Sequence, residues 1–337
     1  MSSTPGCDFV LFGASGFIGQ HILEALEKQN LKVVTNPKSL RLENAEGVLN
    51  FIKQSQPIRY GVINSAGVRG QPNIDWCLDH PCETIEANIL GQLNVARACR
   101  VLGEEVVEGE NIKAENATNQ NPIHCTFVGS CMVYPPMEPE DARIVNQDYY
   151  DEEKDTIKGA DYIDNIDCKD GSTMPTVHFY RKARCVLEDL LSYYPNVLNL
   201  RVQFPISMKD RTFENKQSLL GKLRNFTRVD KAMNSITFLE NLCPTIPQLV
   251  KTKTCGNLNF VNPGAVDYEK DLVQRLKTKL ENYNPEIRDN TTSTAANQQK
   301  GSRGSILLST EKLMRTAHSP DFPVLSSREC LDLIFGE

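Results

Sequence analysis

The sequence predicts an α/β fold, a doubly wound parallel sheet with a smaller C-terminal region. Three observations predict it. Short apolar runs alternate with amphipathic stretches of helical period as far as residue 204. The turn FGASGFIG, residues 12–19, joins the first apolar run to the first amphipathic one. From about residue 205 the alternation loosens into shorter pieces, as in a cap over strand ends.

The elements follow in order. Residues 8–12 read as a buried strand and 17–29 (FIGQHILEALEKQ) as a helix with apolar residues at i, i+3 and i+4. LKVVT at 31–35 is a second strand, 44–56 a helix, and GVINSAG at 61–67 a strand that ends in a small-residue turn. A long helix over 82–102 is apolar on one face; IHCTFVGS at 123–130 is the next strand. Helix 178–193 and strand VLNLRV at 197–202 complete the series. Strands alternating with helices build right-handed βαβ units. The polar stretches 104–121, 141–175 and 286–304 read as loops or disorder. The expected division is a Rossmann-type domain over 1–204, with inserts at 104–121 and 141–175, and a substrate-binding region over 205–337 partly interleaved with it.

Composition narrows the function. The 337 residues are 40% hydrophobic, which suffices for a sizeable core. A net charge of −6 argues against a nucleic-acid binder that works by neutralising phosphates. No apolar run reaches the length of a membrane span. The opening residues MSSTPGCDF lack the basic and apolar regions of a signal peptide, so a cytoplasmic chain is expected. Eleven cysteines occur without CxxC pairing and read as reduced and buried; no metal site is expected.

The glycine turn points to a dinucleotide. Glycine lets the backbone approach a pyrophosphate, and the following helix aims its N–H groups and positive dipole end at the same anion. Gly13, Ser15, Gly16, Phe17, Ile18 and Gly19 are the candidate contacts. An NAD site usually carries an acid at the end of the second strand, to accept the ribose hydroxyl. Here that strand ends Val34-Thr35-Asn36, and Lys38 and Arg41 follow. Cations there suit the additional phosphate of NADP, so NADPH is the expected cofactor; solvated surface charges are the alternative.

The spacing GxxGxxG resembles the extended short-chain dehydrogenases/reductases. In that resemblance NSAG supplies Asn64, Ala66 and Gly67 beside the adenine. Asn88 of EANILG supports the nicotinamide ribose, with a local helix cap as the alternative reading. Longer segments, GVRGQPNIDWCLDHPCETIEANILG (67–91), LRVQFPIS (200–207), NSITFLENLCP (234–244) and GNLNFVNPGAV (256–266), resemble the dTDP-4-dehydrorhamnose reductases. Above all they resemble the eukaryotic branch that acts on UDP sugars as a 3,5-epimerase/4-reductase. The resemblance implies NADPH-dependent reduction of a nucleotide-linked 4-keto-6-deoxysugar in rhamnose synthesis, in a homodimer.

Such a reduction needs a proton donor for the carbonyl oxygen. A tyrosine serves if a nearby cation stabilises its phenolate. The superfamily places the two as YxxxK, one helical turn apart. In HFYRKARC the tyrosine is Tyr180, and Arg184 stands where the lysine belongs. Arginine keeps the charge but cannot give up a proton, and its fork is wider than an ammonium. Ser130, three residues before Val133-Tyr134, is the candidate hydroxyl partner, unless it only bonds its own backbone. For epimerisation the bifunctional branch implies a cysteine and a lysine. Here Cys131 stands one residue early, and Lys222 of GKLRNFTRV matches, with a solvated charge as the alternative. Asn234 is a further substrate-binding candidate. Two readings stay open: a reductase fed by a separate epimerase, and a non-catalytic NADP-binding partner protein of the same fold, which Arg184 favours.

Overall fold

A computed structural model describes residues 6–70, 74, 76–108, 122–134, 149–155, 176–215, 218–288 and 305–336. The chain divides into two compact units. The first comprises residues 1–129, 157–200 and 246–257, and the second 130–156, 201–245 and 258–337.

The first unit opens with β1 (Cys7–Phe12), α1 (Phe17–Lys28), β2 (Val33–Thr35), α2 (Ala45–Gln54) and β3 (Ile58–Asn64). Two short helices follow, α3 (Trp76–Asp79) and α4 (Pro81–Ile85), then a π-helical turn over Glu86–Leu90 and α5 (Gly91–Glu108). Next come β4 (His124–Ser130), α6 (Thr176–Leu191) and β5 (Val197–Val202). The carboxyl ends of β4 and β5 run on into the second unit.

The central sheet has six strands. β2 forms one edge, followed by β1, β3, β4 and β5, and the strand Gly256–Asn259 forms the other. β1 pairs in parallel with both β2 and β3, in the register Leu11 to Thr35 and Leu11 to Ile63, and β3 pairs in parallel with β4. The chain therefore leaves β1 towards one side and later returns to its other side. That reversal opens a crevice at the carboxyl ends of the strands, where ligands bind in such sheets. The hydrophobic pattern holds the layers together. Phe12, Val62 and Phe127 from the strands pack with Val48, Ile52, Val95, Cys99 and Leu102 from α2 and α5. Ten of the cysteines are described; none is in a disulfide, and eight are buried.

Three expectations need correction. Residues 104–108 continue α5 instead of opening a loop; Val106, four residues after Leu102, carries the helical apolar period on. Residues 286–288 form a strand paired in parallel with Arg228–Asp230. The single helix expected over 82–102 is interrupted at Glu86–Leu90 by a π-turn, which marks a functional position in many helices. The remainder of the polar stretches 104–121, 141–175 and 286–304 lies largely outside the described residues.

The second unit has its own core, in which Leu220, Leu223, Ile236, Val273, Leu276 and Ile334 meet. Its closing helix, Ser327–Phe335, starts at a capping box between Ser326 and Glu329 and stops at Gly336 in the left-handed region.

Candidate active site

The glycine turn and the NSAG turn interlock at the ends of β1 and β3. Gly13 has φ +77°, and an added Cβ would lie 2.5 Å from the Ala66 nitrogen. A Cβ on Gly19 would run into the Gly13 carbonyl and sit 2.7 Å from Ser65 Oγ. Both positions exclude any side chain because backbone packs there. Gly16 differs: it is exposed, and an added Cβ would meet only the Gly13 oxygen, at 3.3 Å. It stands at the N-cap of α1, where a glycine offers no side chain of its own to the N–H groups of that first turn. One glycine for the tight turn, one open to a ligand and one for close packing is the division of labour a pyrophosphate needs. The cradle therefore fits a dinucleotide. Ser15 is exposed, and Phe17 and Ile18 are half-buried at the start of α1.

Asn36 takes the place of the acid after β2. Its Oδ1 accepts the Gly13 N–H at 3.1 Å, and its Nδ2 donates to the Pro37 and Leu40 carbonyls. The side chain is spent on shaping the turn. Lys38 and Arg41 are exposed beyond it, and Arg41 lies 3.5 Å from the Glu43 carboxylate. A pair so exposed is worth little, which leaves the Arg41 guanidinium available to a stronger anion.

The NSAG turn is pinned from three sides. Ser65 donates its hydroxyl to the Phe12 carbonyl at 2.9 Å. Asn64 accepts the Ala66 N–H and donates to Gln92 Oε1, while Gln92 Nε2 donates to the Ala66 and Ala87 carbonyls. Asn88, in the π-turn, grips Val68 twice: Oδ1 accepts its N–H at 2.8 Å, and Nδ2 donates to its carbonyl at 2.6 Å. Asn88 and Gln92 are both buried, so these bonds replace water entirely. Gln92 escaped the sequence reading, although a second buried amide one turn after Asn88 is a signal on an otherwise apolar face.

Tyr180 and Arg184 come together beside this turn. Arg184 Nε donates to the Tyr180 hydroxyl oxygen at 3.1 Å, and the guanidinium lies 5.2 Å from the ring centroid. Tyr180 is 7% exposed and Arg184 8%. The far side of the guanidinium faces Gly67: an added Cβ there would lie 3.3 Å from Arg184 Nη2 and 3.1 Å from Asn88 Oδ1. The charge of Arg184 also reaches buried Cys77. Burial pushes its thiol up, and the Thr84 hydroxyl bond and the positive charge of Arg184 oppose that shift. Because its oxygen accepts from a cation, the Tyr180 hydroxyl has its proton to give away from Arg184.

The other candidates lie in the second unit. Ser130 is buried at the end of β4, and its Oγ accepts the Met132 N–H at 3.2 Å, so its O–H is the group left to donate. Cys131 follows in a 3₁₀ turn and is buried. Lys222 is half-buried on the short helix Leu219–Leu223. Asn234 is buried; its Oδ1 accepts from Ile306 N–H and Gln203 Nε2, and its Nδ2 has no partner among the described residues. Among the described residues no cluster of His, Cys, Asp and Glu could hold a metal ion, and no helix is long and apolar enough to cross a membrane.

Comparison with known proteins finds relatives in sequence and in fold. Residues 9–157 match the NAD dependent epimerase/dehydratase family. The bifunctional dTDP-4-dehydrorhamnose 3,5-epimerase/dTDP-4-dehydrorhamnose reductase of Arabidopsis thaliana is 29% identical over 271 residues, 80% of this chain and 75% of that protein. A trifunctional UDP-glucose 4,6-dehydratase/UDP-4-keto-6-deoxy-D-glucose 3,5-epimerase/UDP-4-keto-L-rhamnose-reductase of the same plant is 29% identical over 269 residues. The match covers 80% of this chain but spans only 33% of that longer relative. Among solved structures, the UDP-rhamnose synthase of Acanthamoeba polyphaga mimivirus shares the fold with a TM-score of 0.71 and 21% identity, over 98% of this chain and 100% of the other. The dTDP-4-dehydrorhamnose reductase of Bacillus anthracis, solved with NADP, has a TM-score of 0.66 and 16% identity, over 99% of each chain. The glycine cradle, most of β1 and the strands β2 to β4 thus fall inside the segment, residues 9–157, that matches the NAD dependent epimerase/dehydratase family.

Proposed function

We propose that this chain is an NADPH-dependent reductase of a nucleotide-linked 4-keto-6-deoxysugar, a UDP- or dTDP-linked 4-dehydrorhamnose, in rhamnose-nucleotide synthesis. One observation carries the reading: the Arg184 Nε–H donates to the Tyr180 hydroxyl within the wall that Gly67 and Asn88 complete. The names of the plant relatives support the substrate class. NADPH, when bound, supplies the hydride for the C4 carbonyl. Gly13, Gly16 and Gly19 with the first turn of α1 would hold its pyrophosphate, and the turn Asn64–Gly67 would take its adenine. Tyr180 gives its hydroxyl proton to the carbonyl oxygen, and Arg184 stabilises the phenolate left behind. Ser130 is the hydroxyl that the family resemblance assigns to the same oxygen. A guanidinium in place of the lysine ammonium keeps the positive charge and drops only the titratable amine.

The retained Cys131 and Lys222 leave a second activity to be measured, 3,5-epimerisation. Cys131 stands one residue from the position the resemblance requires, so the proposal is a reductase fed by a separate epimerase. The protein is incubated with NADPH and unepimerised 4-keto-6-deoxyglucose, linked to UDP and separately to dTDP, with and without an added 3,5-epimerase. NADPH oxidation only in the presence of the epimerase is the expected result. Oxidation in its absence assigns the epimerase step to this chain, and no oxidation in either arm refutes the reductase.

The finer cofactor choice rests on Asn36, Lys38 and Arg41. NADPH is expected to bind more tightly than NADH, and replacing Lys38 and Arg41 with Ala should cost about 1–3 kcal/mol of that preference. Calorimetry giving equal affinities for the two cofactors refutes this choice.

The oligomer is proposed to be a homodimer. Ile85 and Leu90 expose 38% and 50% of their surface on the α4 and π-turn segment, and Leu190 and Tyr193 expose 39% and 83% at the end of α6. A two-fold contact would cover such a face. Light scattering at micromolar concentration should give twice the chain mass; a monomer mass counts against it.

A further inference from the structure

We infer that Gly67 is a positioning residue for Arg184: the missing side chain admits the outer nitrogen of the guanidinium and so decides which cation position 184 can carry. The inference rests on the reductase reading for its kinetic arm only.

The geometry is that of one rigid plane held at two points. The inner nitrogen, Nε, donates to the Tyr180 hydroxyl at 3.1 Å. The outer nitrogen, Nη2, lies 3.3 Å from where a Cβ of residue 67 would be. That separation is tighter than ordinary contact, so a methyl group there displaces the nitrogen by a few tenths of an ångström. The guanidinium is planar and its nitrogens move together. Pushing Nη2 outwards therefore swings Nε off the tyrosine oxygen. The neighbours give little room. Arg184 is 8% exposed, and Asn88 is fixed by its two bonds to Val68. A lysine at the same place presents a single nitrogen on a flexible stem and has no second nitrogen to collide with the methyl.

Gly67 is also a clean place to add a methyl group. Its φ lies outside the left-handed region, so alanine brings no backbone strain. The methyl would also lie 3.1 Å from Asn88 Oδ1. That second contact is the same whichever cation is present, so a double-mutant cycle separates it from the first.

The test compares the parent, Gly67→Ala, Arg184→Lys and the double variant in thermal unfolding, NADPH affinity and turnover of a 4-keto-rhamnose nucleotide. In the parent background Gly67→Ala should lower kcat by about tenfold, with the sugar KM little changed. In the Arg184→Lys background the same change should lower kcat by less than about threefold, a rescue that a general structural role of Gly67 does not give. NADPH affinity and melting temperature should show the same inequality. Equal losses in the two backgrounds overturn the inference. A parent that reduces no substrate ends the reductase reading alone: the affinity and unfolding arms then decide, with unequal losses sustaining the coupling and equal losses overturning it.

Discussion

Replacing Tyr180 with Phe should remove nearly all turnover, about 10²–10⁴-fold, the range lost with a positioned proton donor. The change deletes one oxygen. The ring under the Arg184 guanidinium remains, and nothing in the glycine cradle is touched, so NADPH affinity should stay within about twofold. The variant does leave the Arg184 Nε–H without its acceptor in a buried place. That omission costs about 1–3 kcal/mol of stability, so turnover is compared well below the unfolding transition. Stopped-flow and steady-state assays with a 4-keto-rhamnose nucleotide read the loss, and cofactor fluorescence reads the binding. Loss of both together points to a collapsed site. The partner-protein reading expects no turnover in the parent and so none lost on the change.

Gly13→Ala and Gly16→Ala should separate folding from cofactor binding. At Gly13 the φ of +77° costs an L residue about 1–2 kcal/mol, and the new Cβ would stand 2.5 Å from the Ala66 nitrogen and 2.8 Å from its Cα. Both atoms are backbone of a turn fixed by Ser65, Asn64 and Gln92, so the turn cannot withdraw. A total loss of about 3 kcal/mol or more is expected, with no measurable binding of the nicotinamide cofactor. At Gly16 the φ of −76° suits any residue, and the only close contact is 3.3 Å from the Gly13 oxygen. That variant should melt close to the parent yet bind NADPH at least about tenfold more weakly, because its methyl occupies the approach to the pyrophosphate. Denaturant melts and cofactor titration check both. Normal binding by Gly16→Ala would move the pyrophosphate away from this turn.

Local pattern explains why much of the fold was legible. β1, α1, α2, β4 and β5 are each marked by an apolar run or stripe bounded by glycine, proline or polar residues, and periodicity reads those directly. The glycine turn was legible for the same reason, because strand, turn and helix adjoin in the chain. The π-turn at Glu86–Leu90 was not. It accompanies a side chain, Asn88, whose partner Val68 is distant in sequence, and nothing in EANIL itself distinguishes a π-turn from an α-turn. The edge strand Gly256–Asn259 has only four residues, with Asn at two of them, and becomes a strand by its place beside β5. The pairing of Tyr180 with Arg184 was legible from their spacing, since four residues on a helix set two side chains on one face. The role of Gly67 was not, since the space beside a glycine belongs to its neighbours and not to its own letter. The ion pair between Arg41 and Glu43 joins two surface side chains two residues apart, a contact that no periodic pattern marks.

The most direct test of the Tyr180–Arg184 pair as working chemistry is NADPH oxidation by the unmodified protein on a 4-dehydrorhamnose nucleotide already in its epimerised form, offered as both the UDP and the dTDP derivative. Consumption of NADPH in proportion to the substrate added, with the rhamnose nucleotide as product, is the expected result. A folded protein that binds NADPH and reduces neither substrate would contradict it.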